Sequence, residues 1–211
     1  MHTESQDPAQ ASVLRAYLGS EIAPSFEALG FCCELLENPV PGGGPFLFAE
    51  RLEEGATVTV FSYGHADVIR GQAEQWRSGL SPWSVVCEGD RIYGRGTADN
   101  KGQHTINQLA LQSVLNTRRC LGFNIKILFE SGEETGSPGL RELCSQERSK
   151  FAADVFIASD GPRLKANQPT IFLGTRGAVN FNVVVDLRQG AHHSGNWGGL
   201  LKNPGIVLGT R

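Results

Sequence analysis

Residues Thr57–Asp67 read TVTVFSYGHAD, an alternating β-branched run that stops at Gly64 and then delivers His65 and Asp67. Alternation of this kind marks a half-buried β-strand, so the question is what a His-x-Asp pair does at a strand's end. The chain on either side has the same rhythm. Upstream, residues 11–29 carry helical spacing (Val13, Leu14, Tyr17, Leu18, Ile22), followed by FCCELLE and PFLFAER, two short runs bounded by Gly and Pro that read as strands. Downstream of Gly94-Arg95-Gly96, the segment Lys101 to Thr117 places Ile106, Leu109, Ala110, Ser113 and Val114 on one helical face, and NIKILFE reads as the next strand. Ser137-Pro138 has the form of an N-cap and first helical position, opening a helix through Leu140, Leu143 and Cys144, and DVFIAS is a further strand. Strand, helix, strand, helix, strand predicts an α/β fold, a three-layer sandwich with a largely parallel sheet whose sites gather at the carboxyl ends of strands. From Gly177 the pattern changes to a long alternating strand, AVNFNVVVDL, then a Gly-rich turn and LLKNPGIVLGTR. A boundary near Arg176 therefore separates residues 1–175 from residues 176–211.

At 211 residues, 40% hydrophobic and 19% charged, the chain can form one sizeable core, or one domain and part of another, and its composition excludes disorder and collagen. The net charge of -3, with no basic run beyond Arg118-Arg119, leaves no stripe for nucleic acid or anionic lipid, so a small polar substrate is expected. The opening MHTESQDPAQASVLRAYLGS lacks the apolar core of a signal peptide and no later stretch reaches the length of a membrane span, which predicts a cytoplasmic protein. Five cysteines without C-x-x-C spacing argue against a disulfide framework and a thiolate zinc site, and most of them are expected to be buried thiols. The dinucleotide fingerprint fails after Gly94-Arg95-Gly96, and neither G-K-[ST] nor G-x-S-x-G occurs.

Four strand or loop ends carry acids or imidazole: His65 with Asp67, Asp99 before the long helix, Glu133-Glu134 after NIKILFE, and Asp160 after DVFIAS. Each has an ordinary reading alone. His65 could be a hydrogen-bonded structural residue, Asp67 could orient a turn, Asp99 could cap the helix that follows, and Asp160 precedes the turn Gly161-Pro162. Ser131 and Glu134 even match a capping box, although Ser137 is the better cap. Their convergence is the main signal. Two adjacent glutamates buried without a counter-charge crowd each other, and a metal supplies that charge. Imidazole with carboxylates suits zinc, manganese or cobalt, and these donors exceed what one tetrahedral ion needs, so two ions sharing a carboxylate would use them all. A carboxylate two residues from the imidazole can accept its other N–H and fix its tautomer.

The blocks GHADV, W...PW, YGRGTADNKG, ESGEETGS, SDG and HHSGNWGG...NP resemble, in order and approximate spacing, the aminoacylase, carnosinase and glutamate carboxypeptidase superfamily of two-metal exopeptidases and deacylases. The resemblance implies that His65 and Asp160 bind one ion, that Asp99 bridges both, and that Glu134 binds the second. It further implies that Asp67 orients His65, that Glu133 is the general base, and that His193 helps hold the substrate carbonyl across a homodimer interface. Residues 1–175 would then be the metal-binding catalytic domain, and residues 176–211 the beginning of an inserted α+β lid or dimerisation domain. The implied activity is hydrolysis of amide bonds in small peptides or N-acyl amino acids with two divalent ions, zinc first among them. The family's second ion takes a further histidine far downstream, which His2, His104 and His192 do not match, so the chain resembles the amino-terminal part of such an enzyme. By itself it is expected to hold one ion and to turn nothing over. Two readings compete: a metal-binding or regulatory module without turnover, against which Glu133 speaks, and a metal-free structural α/β domain with capped helices and acidic turns.

Overall fold

The computed structural model describes residues 1–161, 163–165, 167–174, 177, 179, 181–190 and 192–209. The chain divides into two compact units, Met1–Pro162 and Arg163–Arg211. The boundary expected near Arg176 falls on a residue outside those described.

Seven strands occur among the described residues: β1 (Cys32–Leu36), β2 (Phe46–Arg51), β3 (Thr59–His65), β4 (Val86–Glu88), β5 (Arg91–Tyr93), β6 (Asn124–Glu130) and β7 (Val155–Ala158). Strands β4 and β5 form a separate antiparallel pair that the sequence reading passed over. The other strands make one five-stranded sheet in the order β1-β2-β6-β3-β7. Strand β3 is parallel to both neighbours, with His65 opposite Glu130 on β6 and Tyr63 opposite Ala158 on β7. The largely parallel sheet that was expected is in fact mixed, because β2 pairs antiparallel with both β1 and β6. The short connection from β1 to β2 carries no crossover helix, and a parallel pairing needs one.

Period-two alternation divides the core between the two faces of the sheet. On β2 and β6, Leu47, Ala49, Ile125, Ile127 and Phe129 join one cluster, while Phe46, Phe48 and Leu128 join the other. The first face is covered by a continuous helical run, α1 (Ala11–Ala16), a wide turn over Tyr17–Ile22 and α2 (Ala23–Glu27), and by α3 (Lys101–Arg118). Leu18, Ile22 and Phe26 point into it, and Phe26 meets Phe31 and Phe129 with ring centroids 5.2 and 5.4 Å apart. Complete burial of such a side chain contributes about 1.5–3 kcal/mol. The second face is covered by α4 (Leu140–Gln146), through Leu140 and Leu143, and by Phe151. Helices on both faces of the sheet make the expected three layers.

Three local expectations are corrected. Helix α3 turns His104, Leu111, Val114 and Leu115 inward, leaving Ile106 and Leu109 exposed; the stripe starts from His104 because the helix begins against the sheet there. Helix α4 starts at Leu140, with Gly139 at its N-cap in the left-handed region at φ 83°, rather than at Pro138. Ser137, which would have capped it, instead donates its hydroxyl to Glu130. Four of the five thiols are exposed and Cys33 is half-buried, with none in a disulfide; Cys32, for example, lies on the edge strand β1.

In the second unit, the long strand expected over AVNFNVVVDL is not formed among the described residues, and Val179, Phe181, Val183 and Val184 are exposed. A strand requires a neighbour to take its backbone hydrogen bonds, and none pairs with it there. The unit contains α5 (Ser194–Trp197) and α6 (Pro204–Gly209). Among the described residues no helix is long and apolar enough to cross a membrane.

Candidate metal centre

The parallel pairing of β3 with β6 and β7 sets three strand ends side by side. Strand β3 ends on His65, β6 runs into a single turn at Glu133–Thr135, and Ser159-Asp160 follows β7. The segment leading into α3 delivers Asp99 and Asn100 to the same place, joined by a cis peptide bond. Gly64 makes this possible, since a Cβ there would lie 3.1 Å from Asn100 Oδ1 and 3.3 Å from the Cβ of His104. The glycine at the end of TVTVFSYG lets α3 lie directly against the strand.

His65 is fully buried. Its Nε2 lies 2.9 Å from Asp99 Oδ1, 3.6 Å from Asp160 Oδ1 and 4.0 Å from Glu133 Oε2. Its Nδ1 faces Asp67, 3.1 Å from the backbone oxygen and 3.4 Å from Oδ1. Nδ1 has acceptors on its side, so in the neutral ring it carries the proton and leaves the Nε2 lone pair pointing at the carboxylates. Burial works against the charged ring, but the carboxylates of Asp160 and Asp67 outweigh it and push His65 up to about 11. Asp160 is lowered in turn, by its hydrogen bond to His65 against the opposing effect of burial. Glu133 and Glu134 are both raised, chiefly by burial; in Glu134 the charge of Asp99 is the next contribution. The acids thus crowd round a single imidazole, a setting that a bound cation would relieve. His65, Asp99 and Glu134 each offer one ligand atom, all within 4.8 Å of one another, a group whose nitrogen and oxygen donors fit a divalent ion.

Asp67 does more than the sequence reading assigned to it. It is fully buried. Its Oδ1 accepts the backbone N–H of Glu133 at 3.2 Å, and its Oδ2 accepts that of Glu134 at 3.1 Å and the Ser5 hydroxyl at 2.6 Å. One carboxylate thus holds the histidine and both glutamates. Asp99, by contrast, does not cap a helix: Asn100 occupies the N-cap of α3 without a side-chain cap bond, and Asp99 Oδ1 goes to His65.

Two supporting residues escaped the sequence reading. Asn100, fully buried, accepts the His65 backbone N–H at 3.1 Å through Oδ1. Its Nδ2 donates to Ser159 O at 2.8 Å and Asp160 Oδ1 at 3.2 Å, so it ties the ends of β3 and β7 together. Glu130, opposite His65 in the ladder, accepts the hydroxyls of Tyr63 at 2.5 Å and Ser137 at 2.9 Å through Oε1, closing the turn that carries Glu133 and Glu134. Burial raises its carboxyl. The signal for Glu130 lay in cross-strand register, and that for Asn100 in contacts with residues 35 and 60 positions away, neither in local sequence.

His193 belongs to the second unit, exposed and immediately before α5. Its Nδ1 accepts the Gly195 N–H at 3.0 Å, and a Cβ on residue 195 would stand only 3.0 Å from the ring.

A family model described as peptidase family M20/M25/M40 matches residues 61–194. The Beta-Ala-His dipeptidase of Mus musculus is 34% identical over 190 residues, 89% of this chain and 36% of that protein. The Cysteinylglycine-S-conjugate dipeptidase of Corynebacterium striatum is 30% identical over 181 residues, 84% of this chain and 38% of that protein. The crystal structure of human carnosine dipeptidase 1 superposes with a TM-score of 0.77 at 27% identity, covering 98% of this chain and 45% of the other. The chain thus spans between 36% and 38% of the length of these two curated relatives. The matched span begins on β3 and takes in Asp99, Glu133, Glu134 and Asp160 as well as His65, and by that match the chain belongs to peptidase family M20/M25/M40.

Proposed function

We propose that this chain carries the metal-binding half of a metal-dependent hydrolase of amide bonds in small substrates, a dipeptidase or carboxypeptidase, or an N-acyl amino acid deacylase. The observation that carries the reading is the fully buried His65, its Nε2 facing Asp99, Asp160 and Glu133 while Asp67 secures its other nitrogen. Relatives named as dipeptidases favour a dipeptide. In this reading His65 and Asp160 would hold one divalent ion and Glu134 a second, with Asp99 serving both. The donors suit zinc, with manganese or cobalt as alternatives.

Bound divalent metal lowers the pKa of water and polarises a carbonyl oxygen. Glu133 stands half-buried beside the ligands with its carboxyl raised by burial, which brings a carboxylate closer to the basicity of a general base. It takes the proton of the attacking water and returns it to the leaving amine. Asp67 fixes the backbone from which Glu133 projects. His193 has its Nδ1 occupied as an acceptor, so the neutral ring carries its proton on Nε2, the donor that a developing oxyanion needs. In a cytoplasmic homodimer it acts on the active site of the partner subunit. Mixing full-length His193→Ala with full-length Glu133→Gln subunits should then recover up to about a quarter of parental activity, the share expected if each hybrid dimer, half of a statistical mixture, has one intact site of two. No recovery after verified subunit exchange would reject action in trans.

The full-length protein of which this chain would be the amino-terminal part, freed of metal, reloaded with zinc, manganese or cobalt and given a panel of dipeptides and N-acyl amino acids, should hydrolyse at least one class in a metal-dependent way. Asp99→Asn should lose metal by more than the roughly 10–100-fold that loss of a supporting partner costs. Metal binding by the parent without hydrolysis of any member of the panel would favour a module without turnover. Full occupancy in Asp99→Asn would remove Asp99 from the ligand set.

A further inference from the structure

Residues Met1–Ser5 run as a strap along Ala66–Val68, the segment that carries Asp67. Thr3 is fully buried; its hydroxyl donates to Ala66 O at 2.8 Å and its carbonyl accepts the Val68 N–H at 2.9 Å. Glu4 bridges to Val68 in parallel fashion, and the Ser5 N–H reaches Val68 O at 3.4 Å. At the other end of the strap, the His2 ring lies on Trp83 with centroids 3.6 Å apart, and Met1 O accepts the Lys101 ammonium at 3.0 Å. All five residues are engaged, through the main chain or through polar and ring contacts, and the strap has fixed attachments to α3 and to the strand end.

Its last residue reaches the site. Ser5 Oγ lies 2.6 Å from Asp67 Oδ2, the shortest of the bonds to that carboxylate, and the hydroxyl is the donor because a carboxylate only accepts. Bonds to an ionised acceptor are shorter and roughly twice as strong as neutral ones. Without Ser5, Oδ2 would keep only the Glu134 N–H at 3.1 Å, and the carboxylate could swing about its terminal torsion, which has a broad, soft energy profile. Any such swing moves the groups that face His65 Nδ1 and the Glu133 N–H as well.

We propose that the Met1–Ser5 strap is a working part of the metal centre, and that Ser5 is a positioning residue locking the Asp67 carboxylate in the one orientation that serves His65, Glu133 and Glu134 together. This rests on the metal-centre reading above. Ser5→Ala, Ser5→Thr and Asp99→Asn, made in the full-length protein, are compared with the parent by calorimetric titration of the metal-free proteins with zinc, by thermal melting of the same samples, and by steady-state hydrolysis. Ser5→Ala should bind zinc about tenfold more weakly, at the low end of the range for losing a partner behind a ligand. Its kcat should fall while KM stays close to parental, and Ser5→Thr, which restores the hydroxyl, should recover most of both losses. Zinc affinity in Ser5→Ala within about twofold of the parent, or a loss confined to the melting temperature, overturns the proposal. Retention of zinc by Asp99→Asn would overturn the metal-centre reading itself, whereas loss of zinc there with unaltered binding in Ser5→Ala overturns the strap alone.

Discussion

In the full-length protein, Glu133→Gln is expected to lower kcat by about 10²- to 10⁴-fold while leaving metal occupancy at its parental level. The amide has the shape of the carboxyl and loses its basicity. The contact that anchors this residue is unaffected by the exchange, because Asp67 Oδ1 accepts the backbone N–H of Glu133 rather than any side-chain atom. Glu133 Oε2 also stands further from His65 Nε2, at 4.0 Å, than Asp99 and Asp160 do, as befits a residue beside the ligands rather than one of them. Turnover numbers measured on samples of known metal content decide the matter. Near-parental turnover would remove Glu133 from the proton transfer, and loss of metal would make it a ligand.

Asp67→Ala should be the most damaging single change to the site as a structure. It removes the acceptor for the N–H groups of Glu133 and Glu134 and for the Ser5 hydroxyl, and it takes away the carboxylate oxygen 3.4 Å from His65 Nδ1, leaving that nitrogen only the backbone oxygen of residue 67. A buried donor left without its acceptor costs about 1–3 kcal/mol. Glu133 and Glu134 are half-exposed, so water filling the space can recover part of this, and a net loss of about 3 kcal/mol is expected in denaturant unfolding. Zinc affinity should fall about 10–100-fold, since His65 loses the negative charge beside Nδ1 and the glutamate turn loses its anchor. A variant within about 1 kcal/mol of the parent that also binds zinc as tightly would show that Asp67 only completes a turn.

Residues whose chemistry is announced by their own neighbourhood were legible in the sequence. His65, Asp99, Glu133, Glu134 and Asp160 each end a recognisable strand or precede a recognisable helix, and parallel β3, β6 and β7 must bring such ends together. The inward face of α3 was not legible, because Ile106 and Leu109 keep a helical spacing although they face solvent. The antiparallel β1–β2 edge was hidden because two short apolar runs do not state which way they pair. Ser5, Asn100 and Glu130 were hidden more deeply. Ser5 is an ordinary serine until it lies 2.6 Å from a carboxylate 62 positions away, and Glu130 gains its meaning from Tyr63 across the ladder.

The Asp67 carboxylate gathers its donors from far apart along the chain, with Ser5 62 positions before it and Glu133 and Glu134 66 and 67 after it. Asn100 reaches 35 positions back to His65 and 60 forward to Asp160. Only a stretch from Ser5 to Asp160 holds all of these pairs, and each contact requires a long loop to be closed before it gives anything back. The acids would repel one another if they met early, so they are expected to converge only once β3, β6 and β7 have paired. Uptake of a metal ion, in the reading proposed above, is then expected late in refolding, and zinc binding that precedes formation of the sheet in a stopped-flow experiment would reject that order.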